Sequence, residues 1–184
     1  GLYYSLWDRT QNADVKDPSK DEAYNKYMLG QINELIDMVQ KHTKIVEFWF
    51  DAGWEKSNQR WPIQQLYSTI KAKAPQCQVG INWSIGLPDN PDYHPVLPEN
   101  QKEGFPIRYF PSDFRLGDPY LPATPDPKLF THNSKTYYMP WESTVCISGK
   151  WFYHTEDTTY KTVDELAGLY VKATAQDNIL ILNT

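Results

Sequence analysis

Two carboxylic acids in this 184-residue chain stand beside clusters of aromatic residues. Asp51 directly follows the aromatic run at 48–50, and Glu142 follows the aromatic-rich segment 137–141. Paired carboxyl groups flanked by rings suit the cleavage of glycosidic bonds, because one carboxylate attacks the anomeric carbon while the other protonates the leaving oxygen. The ring-rich surroundings of Glu142 favour its protonated form, as an acid catalyst requires. The two acids therefore form a candidate catalytic pair.

Both acids are predicted to end β-strands. Residues 45–51 alternate in character, with Val46, Phe48 and Phe50 on one face and Glu47, Trp49 and Asp51 on the other. The segment 136–142 is predicted as another strand, with Glu142 at its end. Active sites of (β/α)₈ barrels lie at the carboxyl ends of the strands. We therefore expect both carboxyl groups on one rim of such a barrel.

Strands and helices are predicted to alternate along most of the chain. Further strands are predicted at 2–7, 78–83 and 178–183, with helices between them, one of which opens on a capping box at 162–165. This alternation indicates a parallel sheet, either doubly wound or part of a (β/α)₈ TIM barrel. The chain lacks the Gly-rich phosphate loops GxGxxG and GxxxxGK[ST], which argues against the doubly wound sheet. Since a whole barrel needs eight strands, five strands predict its last five.

The chain is predicted to be one partial barrel domain, 1–184, with a long Pro-rich loop at about 84–135. Loops of this length are uncommon in a compact domain and usually either line a site or mark a wrong assignment of elements. Within it, Asp113 and Asp118 are expected to make local salt bridges or turns. The chain begins and ends in predicted strands, so we expect it to be a piece of a longer protein.

Composition excludes several functions. The net charge of −5 argues against binding to nucleic acid or to an anionic membrane, and no apolar run approaches the roughly 20 residues of a membrane span. The two cysteines form no CxxC pair and the four histidines have no ligand spacing, so we expect neither a metal nor a cofactor. The 7 Trp, 13 Tyr and 7 Phe suit a cleft that stacks on sugars.

Four motifs, in order from the first residue to the last, carry a resemblance to a known family. They are Gly1-Leu2-Tyr3-Tyr4-Ser5, Glu47-Phe48-Trp49-Phe50-Asp51, Trp141-Glu142 with Trp151-Phe152-Tyr153, and Asn178-Ile179-Leu180-Ile181-Leu182-Asn183. Together they resemble the α-L-fucosidases of glycoside hydrolase family 29. The resemblance implies a retaining exo-glycosidase that releases terminal α-L-fucose by double displacement on a barrel.

The resemblance also implies roles for individual residues. Asp51 corresponds to the nucleophile and Glu142 to the acid/base, with Glu99 and Glu103 in the Pro-rich loop as alternatives for the acid/base. Tyr3, rather than Tyr4, is expected to contact the sugar, because it shares the inward phase of Ser5 and Trp7. The other expected substrate contacts are Trp49, Asn82, Trp141 and Trp151. Many members carry an arginine in an N-D-R-W-like segment after the nucleophile; this chain has no arginine there, and Asn82 is the candidate substitute.

Parts of the family's usual architecture have no counterpart in this chain. These are the strand with the sugar-binding His-His motif and the β-sandwich that follows the barrel, so we expect the N-terminal strands and a β-sandwich as partners. The expected substrate is a fucosylated oligosaccharide or glycoconjugate, in a periplasmic, secreted or lysosomal setting. Two alternatives stay open: a catalytically inactive, fucosidase-like glycan-binding module, or a barrel glycosidase for a different sugar.

Overall fold

The computed structural model describes residues 1–11, 20–56, 59–84, 107–122 and 124–184. In chain order its strands are β1 (Leu2–Ser5), β2 (Glu47–Asp51), β3 (Gln78–Asn82), β4 (Phe114–Leu116), β5 (Leu129–His132), β6 (Lys135–Tyr138), β7 (Trp141–Cys146) and β8 (Ile179–Asn183). The α-helices are α1 (Asp21–Val39), α2 (Ile63–Lys73) and α3 (Val163–Thr174). A short 3₁₀ helix, Gly53–Lys56, follows β2.

Six of these strands form one parallel sheet in the order β1-β2-β3-β4-β7-β8. The order follows the chain without reversal, whereas a doubly wound sheet changes direction at a switch point. This sheet is part of a (β/α)₈ barrel, which confirms the predicted fold class. The described residues contribute six sheet strands, one more than the five that we predicted.

Strand β2 shows how the sequence separates the two faces of the sheet. Phe48 and Phe50 are fully buried on the outer face, in a core built with α1 and α2. Glu47, Trp49 and Asp51 point the other way, into the concave face. The helices supply apolar stripes with a spacing of three to four residues, at Met28, Ile32 and Ile36 and at Ile63, Leu66 and Ile70.

Helix ends follow their sequence signals. Thr162 and Glu165 form the capping box at the start of α3, with the Thr162 hydroxyl accepting a hydrogen bond from the Glu165 amide. Pro62 is the residue before α2, where its missing N–H costs nothing. Among the described helices, none combines the length and the hydropathy needed to cross a bilayer.

The Pro-rich segment contains a strand that we did not predict. In β4, Phe114, Arg115 and Leu116 are all buried, and Arg115 is fully so. The Arg115 guanidinium donates to both carboxylate oxygens of Asp126, at 2.9 and 2.8 Å, and its Nε donates to the carbonyl of Met139 at 2.7 Å. A strand of three residues with an arginine at its centre shows no hydrophobic pattern in the sequence. Arg115 can nevertheless be buried, because Asp126 neutralises its charge.

The predicted strand 136–142 is wrong in its extent. Its first part, β6, pairs with β5 as an antiparallel hairpin, and the sheet strand β7 begins only at Trp141. Pro140 separates the two, since it cannot donate a ladder hydrogen bond. The aromatic residues at 137–138 therefore belong to the hairpin. Glu142 is the second residue of its strand, far from the carboxyl end.

Candidate active site

A cavity of about 820 Å³ occupies the concave face of the sheet. Strand ends and the loops after them supply its walls, which include Tyr3, Trp49, Asp51, Asn82, Asp118 and Trp151. Four of the five predicted substrate contacts and the predicted nucleophile therefore lie around one space. A site at this edge is typical of barrel proteins.

Asp51 is held by donors from both neighbouring strands. The Tyr3 hydroxyl on β1 donates to Asp51 Oδ2 at 2.6 Å, and Asn82 Nδ2 on β3 donates to Asp51 Oδ1 at 3.0 Å. Burial, followed by the hydrogen bond to Asp51, raises the pKa of Tyr3 well above its usual value, so its hydroxyl stays protonated and donates. Both oxygens of Asp51 are thereby oriented at the rim of the cavity.

Asn82 connects Asp51 to a second acid. Its Oδ1 accepts from the backbone N–H groups of Trp83, at 3.0 Å, and Asp118, at 3.2 Å. Because the amide oxygen is engaged this way, its NH₂ group must face Asp51. This fully buried side chain thus fixes the Asp51 carboxyl relative to the backbone of Asp118.

Asp118 is the acid at this site that our reading of the sequence missed. It is half-buried, and within the described part of the chain its Oδ1 is enclosed without a hydrogen-bond partner. Burial first, and then the charge of Asp51, raises the pKa of Asp118 to about 7. The signal in the sequence was its position two residues after a strand, which stayed hidden because β4 itself was not predicted.

The backbone directly after two of these residues is in an uncommon conformation. Ala52 follows Asp51 with φ 59°, and Trp83 follows Asn82 with φ 60°. Non-glycine residues in the left-handed region cost about 1 kcal/mol or more, and such strain concentrates at functional sites. The strand ends are therefore shaped for the geometry of the cavity rather than for local stability.

Aromatic rings wall the cavity. The ring of Tyr3 stacks on Trp49, with centroids 5.6 Å apart and an interplanar angle of 22°. Trp151, 40% exposed, lies in the loop between β7 and α3. Flat rings at the side of a polar pocket are suited to the apolar faces of a sugar.

Glu142 does not reach this rim, contrary to expectation. It is only 2% exposed and lies below Trp49, whose Nε1 donates to Glu142 Oε1 at 2.9 Å. Burial, and next the charge of Glu47, raises the pKa of Glu142 to about 8. The direction agrees with a protonated acid, but the carboxyl group is not among the cavity walls. The alternatives Glu99 and Glu103 lie outside the described residues.

Trp141 does not line the cavity either. Its side chain, 1% exposed, faces away from it, with the Arg115 guanidinium 5.1 Å from its ring centroid. A Cβ on Gly117 would come within 2.3 Å of this indole, so the ring packs where only glycine leaves room. As the first residue of β7, Trp141 takes the phase opposite to Glu142.

The described residues hold no group of three or more His, Cys, Asp or Glu side chains arranged for a metal ion. Both cysteines are free thiols, with Cys77 buried and Cys146 partly buried. The side chains around the cavity carry carboxyl, hydroxyl and amide groups beside aromatic rings.

Together, the fold and the cavity define a class: a (β/α)₈ barrel with an acidic and aromatic pocket at the carboxyl ends of its strands. The family model "Alpha-L-fucosidase" matches residues 1–184, and the chain belongs to this family, glycoside hydrolase family 29. No curated protein is close enough in sequence to count as a match.

Several solved structures share the fold. An α-L-fucosidase isoenzyme 1 from Paenibacillus thiaminolyticus superposes with a TM-score of 0.64 at 23% identity, over 100% of this chain and 42% of that one. The α-L-fucosidase AlfC from Lactobacillus casei, in complex with its α-L-fucose product, gives 0.56 at 19%, over 100% and 52%. A family 29 fucosidase from Ruminococcus gnavus, in complex with fucose, gives 0.54 at 19%, over 99% and 39%. The chain thus spans about two-fifths to one-half of these proteins.

Proposed function

We propose that the protein containing this chain hydrolyses terminal α-L-fucose from glycoconjugates by a retaining double displacement, with Asp51 as the nucleophile. The observation that supports this most is the Asp51 carboxyl, oriented by Tyr3 and Asn82 at the edge of an aromatic cavity. Membership of the α-L-fucosidase family supports the choice of sugar.

The proposed reaction has two steps. An Asp51 oxygen bonds to the anomeric carbon while the bond to the leaving oxygen breaks and that oxygen takes a proton from an acid. In the second step a water molecule attacks the same carbon and gives a proton to the acid residue, which now acts as a base. The bond between this carbon and Asp51 breaks, and Asp51 is released. Tyr3 and Asn82 hold the Asp51 carboxyl in one orientation, so little entropy is lost in orienting it in the transition state.

The proton donor that the described geometry favours is Asp118. It borders the same cavity as Asp51, its position is fixed through Asn82, and its raised pKa of about 7 keeps much of it protonated at neutral pH. Glu142 is separated from the cavity by Trp49, and Glu99 and Glu103 remain candidates for the same role.

The experiment uses the full-length protein and an aryl α-L-fucoside. Asp51→Gly is expected to lower kcat by about 10⁴-fold or more, and azide is expected to restore turnover as a fucosyl azide. Asp177→Gly is the matched control, because Asp177 is exposed and already has φ 56°, which glycine adopts freely.

Each alternative has its own outcome in this experiment. Binding of fucose without turnover by the natural protein identifies a glycan-binding module. Turnover of another aryl glycoside instead of the fucoside identifies a glycosidase for a different sugar. An undiminished rate in Asp51→Gly contradicts the nucleophile assignment.

A further inference from the structure

A pair of carboxyl groups at the lower end of the cavity takes no part in the proposed reaction. Glu142 is buried, and Glu47 is half-buried and lines the cavity. Glu142, at the start of β7, faces Glu47, the first residue of β2, and each carboxyl group influences the pKa of the other. Both residues therefore lie near the amino ends of their strands, while Asp51 lies at the carboxyl end of β2.

The burial of Glu142 beside a second carboxyl group favours one proton held within this pair. Two ionised carboxylates cannot hydrogen-bond to each other, since neither has a donor. Burial is the largest cause that raises the pKa of Glu47 above its usual value. Burial also raises the pKa of Glu142, to about 8. The groups that act on the pair are its own two carboxyls and the indole N–H of Trp49. Glu142 is therefore a neutral acid at neutral pH.

Trp49 connects this pair to the reacting carboxylate. Its N–H is bound by Glu142 at 2.9 Å, so its indole has one defined rotation. The same indole stacks on Tyr3, and the Tyr3 hydroxyl donates to Asp51. A chain of contacts thus runs from Glu142 through two aromatic rings to Asp51. An indole without its acceptor would leave a buried N–H unsatisfied and turn to find another partner.

We propose that Glu142 is a positioning residue, which fixes the indole of Trp49 and, through Tyr3, the orientation of the Asp51 carboxyl. This role rests on the proposed function, because its effect is on the aim of the nucleophile. It differs from an acid/base role, in which Glu142 itself touches the glycosidic oxygen.

Two substitutions in the full-length protein separate the two roles. Glu142→Gln keeps an oxygen that accepts from Trp49 and an NH₂ group that donates to Glu47, so kcat/KM is expected to stay within about threefold. Glu142→Leu fills the space without an acceptor and is expected to lower kcat/KM about 10- to 100-fold, the usual worth of a buried hydrogen bond to an acid group. Ser143→Ala, at the next and equally buried residue, is the control and is expected to leave kcat/KM unchanged.

A double-mutant cycle tests the path of the effect. If Glu142 acts through Trp49, then Glu142→Leu costs little more once Trp49→Phe has removed the N–H, and the two losses are not additive. Near-ultraviolet circular dichroism gives a readout without activity: Glu142→Leu and Trp49→Phe should lose the same band of the Trp49–Tyr3 stack, which Glu142→Gln keeps.

The results that overturn the inference are distinct from those that overturn the proposed function. A loss of 10³-fold or more in Glu142→Gln, relieved by azide, makes Glu142 the acid/base and ends the positioning role while the function stands. Additive losses in the cycle, or an unchanged dichroism band in Glu142→Leu, also contradict it. If the natural protein turns over no fucoside, the proposed function fails, and the dichroism of the same variants still decides whether Glu142 holds Trp49.

Discussion

Asp51 and Glu142 lie at opposite levels of one concave sheet. At the upper level, the Asp51 carboxyl receives hydrogen bonds from Tyr3 and Asn82 and borders the cavity. At the lower level, Glu142 is buried beside the half-buried Glu47 and accepts a hydrogen bond from the indole N–H of Trp49. Two acids with similar sequence surroundings therefore have different chemistry, because the residue at which the strand begins decides which level each carboxyl reaches.

The largest effect that separates the levels is expected from Asp118→Asn. Loss of a proton donor typically costs about 10²- to 10⁴-fold in kcat, most for substrates with poor leaving groups. In the natural protein, kcat/KM should fall as the pH rises through about 7, because Asp118 must be protonated to act and its pKa is raised to about 7. Asp118→Asn should remove this alkaline limb, as measured with fucosides of different leaving groups.

Exposed Asp164, in the first turn of α3, offers the control Asp164→Asn, which should leave the pH profile unchanged. If Glu99→Gln or Glu103→Gln removes the limb while Asp118→Asn does not, the proton donor is that residue instead. If Glu142→Gln does so, the distinction between the two levels fails.

The next largest effect is expected from replacing Trp141 and Trp151, two tryptophans that the sequence predicted in one pocket. Trp141→Ala should lower the free energy of unfolding by roughly 3–5 kcal/mol, because it empties a buried site beside Arg115, and should leave KM unchanged. Trp151→Ala should instead raise KM about tenfold through the loss of a ring at the cavity, about 1.4 kcal/mol. Urea unfolding and Michaelis kinetics on both variants check this pair, and a KM effect in Trp141→Ala contradicts the placement of its ring.

A smaller effect is expected at the upper level from Tyr3→Phe. Removing the hydrogen bond to the Asp51 carboxylate should cost about 1.5–3 kcal/mol, or roughly 10- to 100-fold in kcat/KM. Tyr4→Phe is a matched control, since the Tyr4 hydroxyl donates to Gln31 at 2.5 Å on the opposite face of the same strand. Steady-state kinetics should show a loss in the first variant alone, and equal losses would remove Tyr3 from the site.

The effect that is smallest on activity concerns the lower level and appears in the pH dependence of stability. The pKa of Glu142 is about 8 in the folded protein, against about 4.5 when it is unfolded, so the stability that its neutral form contributes is lost as the pH rises from about 4.5 to 8. The free energy of unfolding should fall by up to about 1.4 kcal/mol per pH unit more steeply in the natural protein than in Glu142→Gln. Urea unfolding at pH 5, 6.5 and 8 measures both slopes, and parallel slopes would contradict a buried neutral Glu142.

The sequence predicted the fold class and the upper level better than the lower one. Strand β2 has five residues of strict alternation, so its two faces and the place of Asp51 followed directly. The inward phase of Tyr3 followed in the same way. The beginning of β7 did not, because the aromatic residues of the hairpin before it imitate a strand that ends at Glu142.

Other features depend on contacts between distant residues. Arg115 can be buried in strand β4 because it meets Asp126, and that pairing has no local signal in the sequence. Likewise, the role of Asn82 follows from its neighbours on both sides, Asp51 and Asp118, which no spacing in the sequence brings together. Short strands and polar networks are therefore the parts that needed the structure.

The buried pair of Arg115 and Asp126 also constrains how this family can diverge. Asp126 also binds Lys128 and Asn178, so the crossover from β4 to β7 is held by charged and polar contacts. Replacing Asp126 alone would leave the fully buried Arg115 guanidinium without its carboxylate, at a cost of about 3–5 kcal/mol. Across related sequences, Arg115 and Asp126 should therefore be inherited or exchanged together, as a covarying pair that marks this type of crossover.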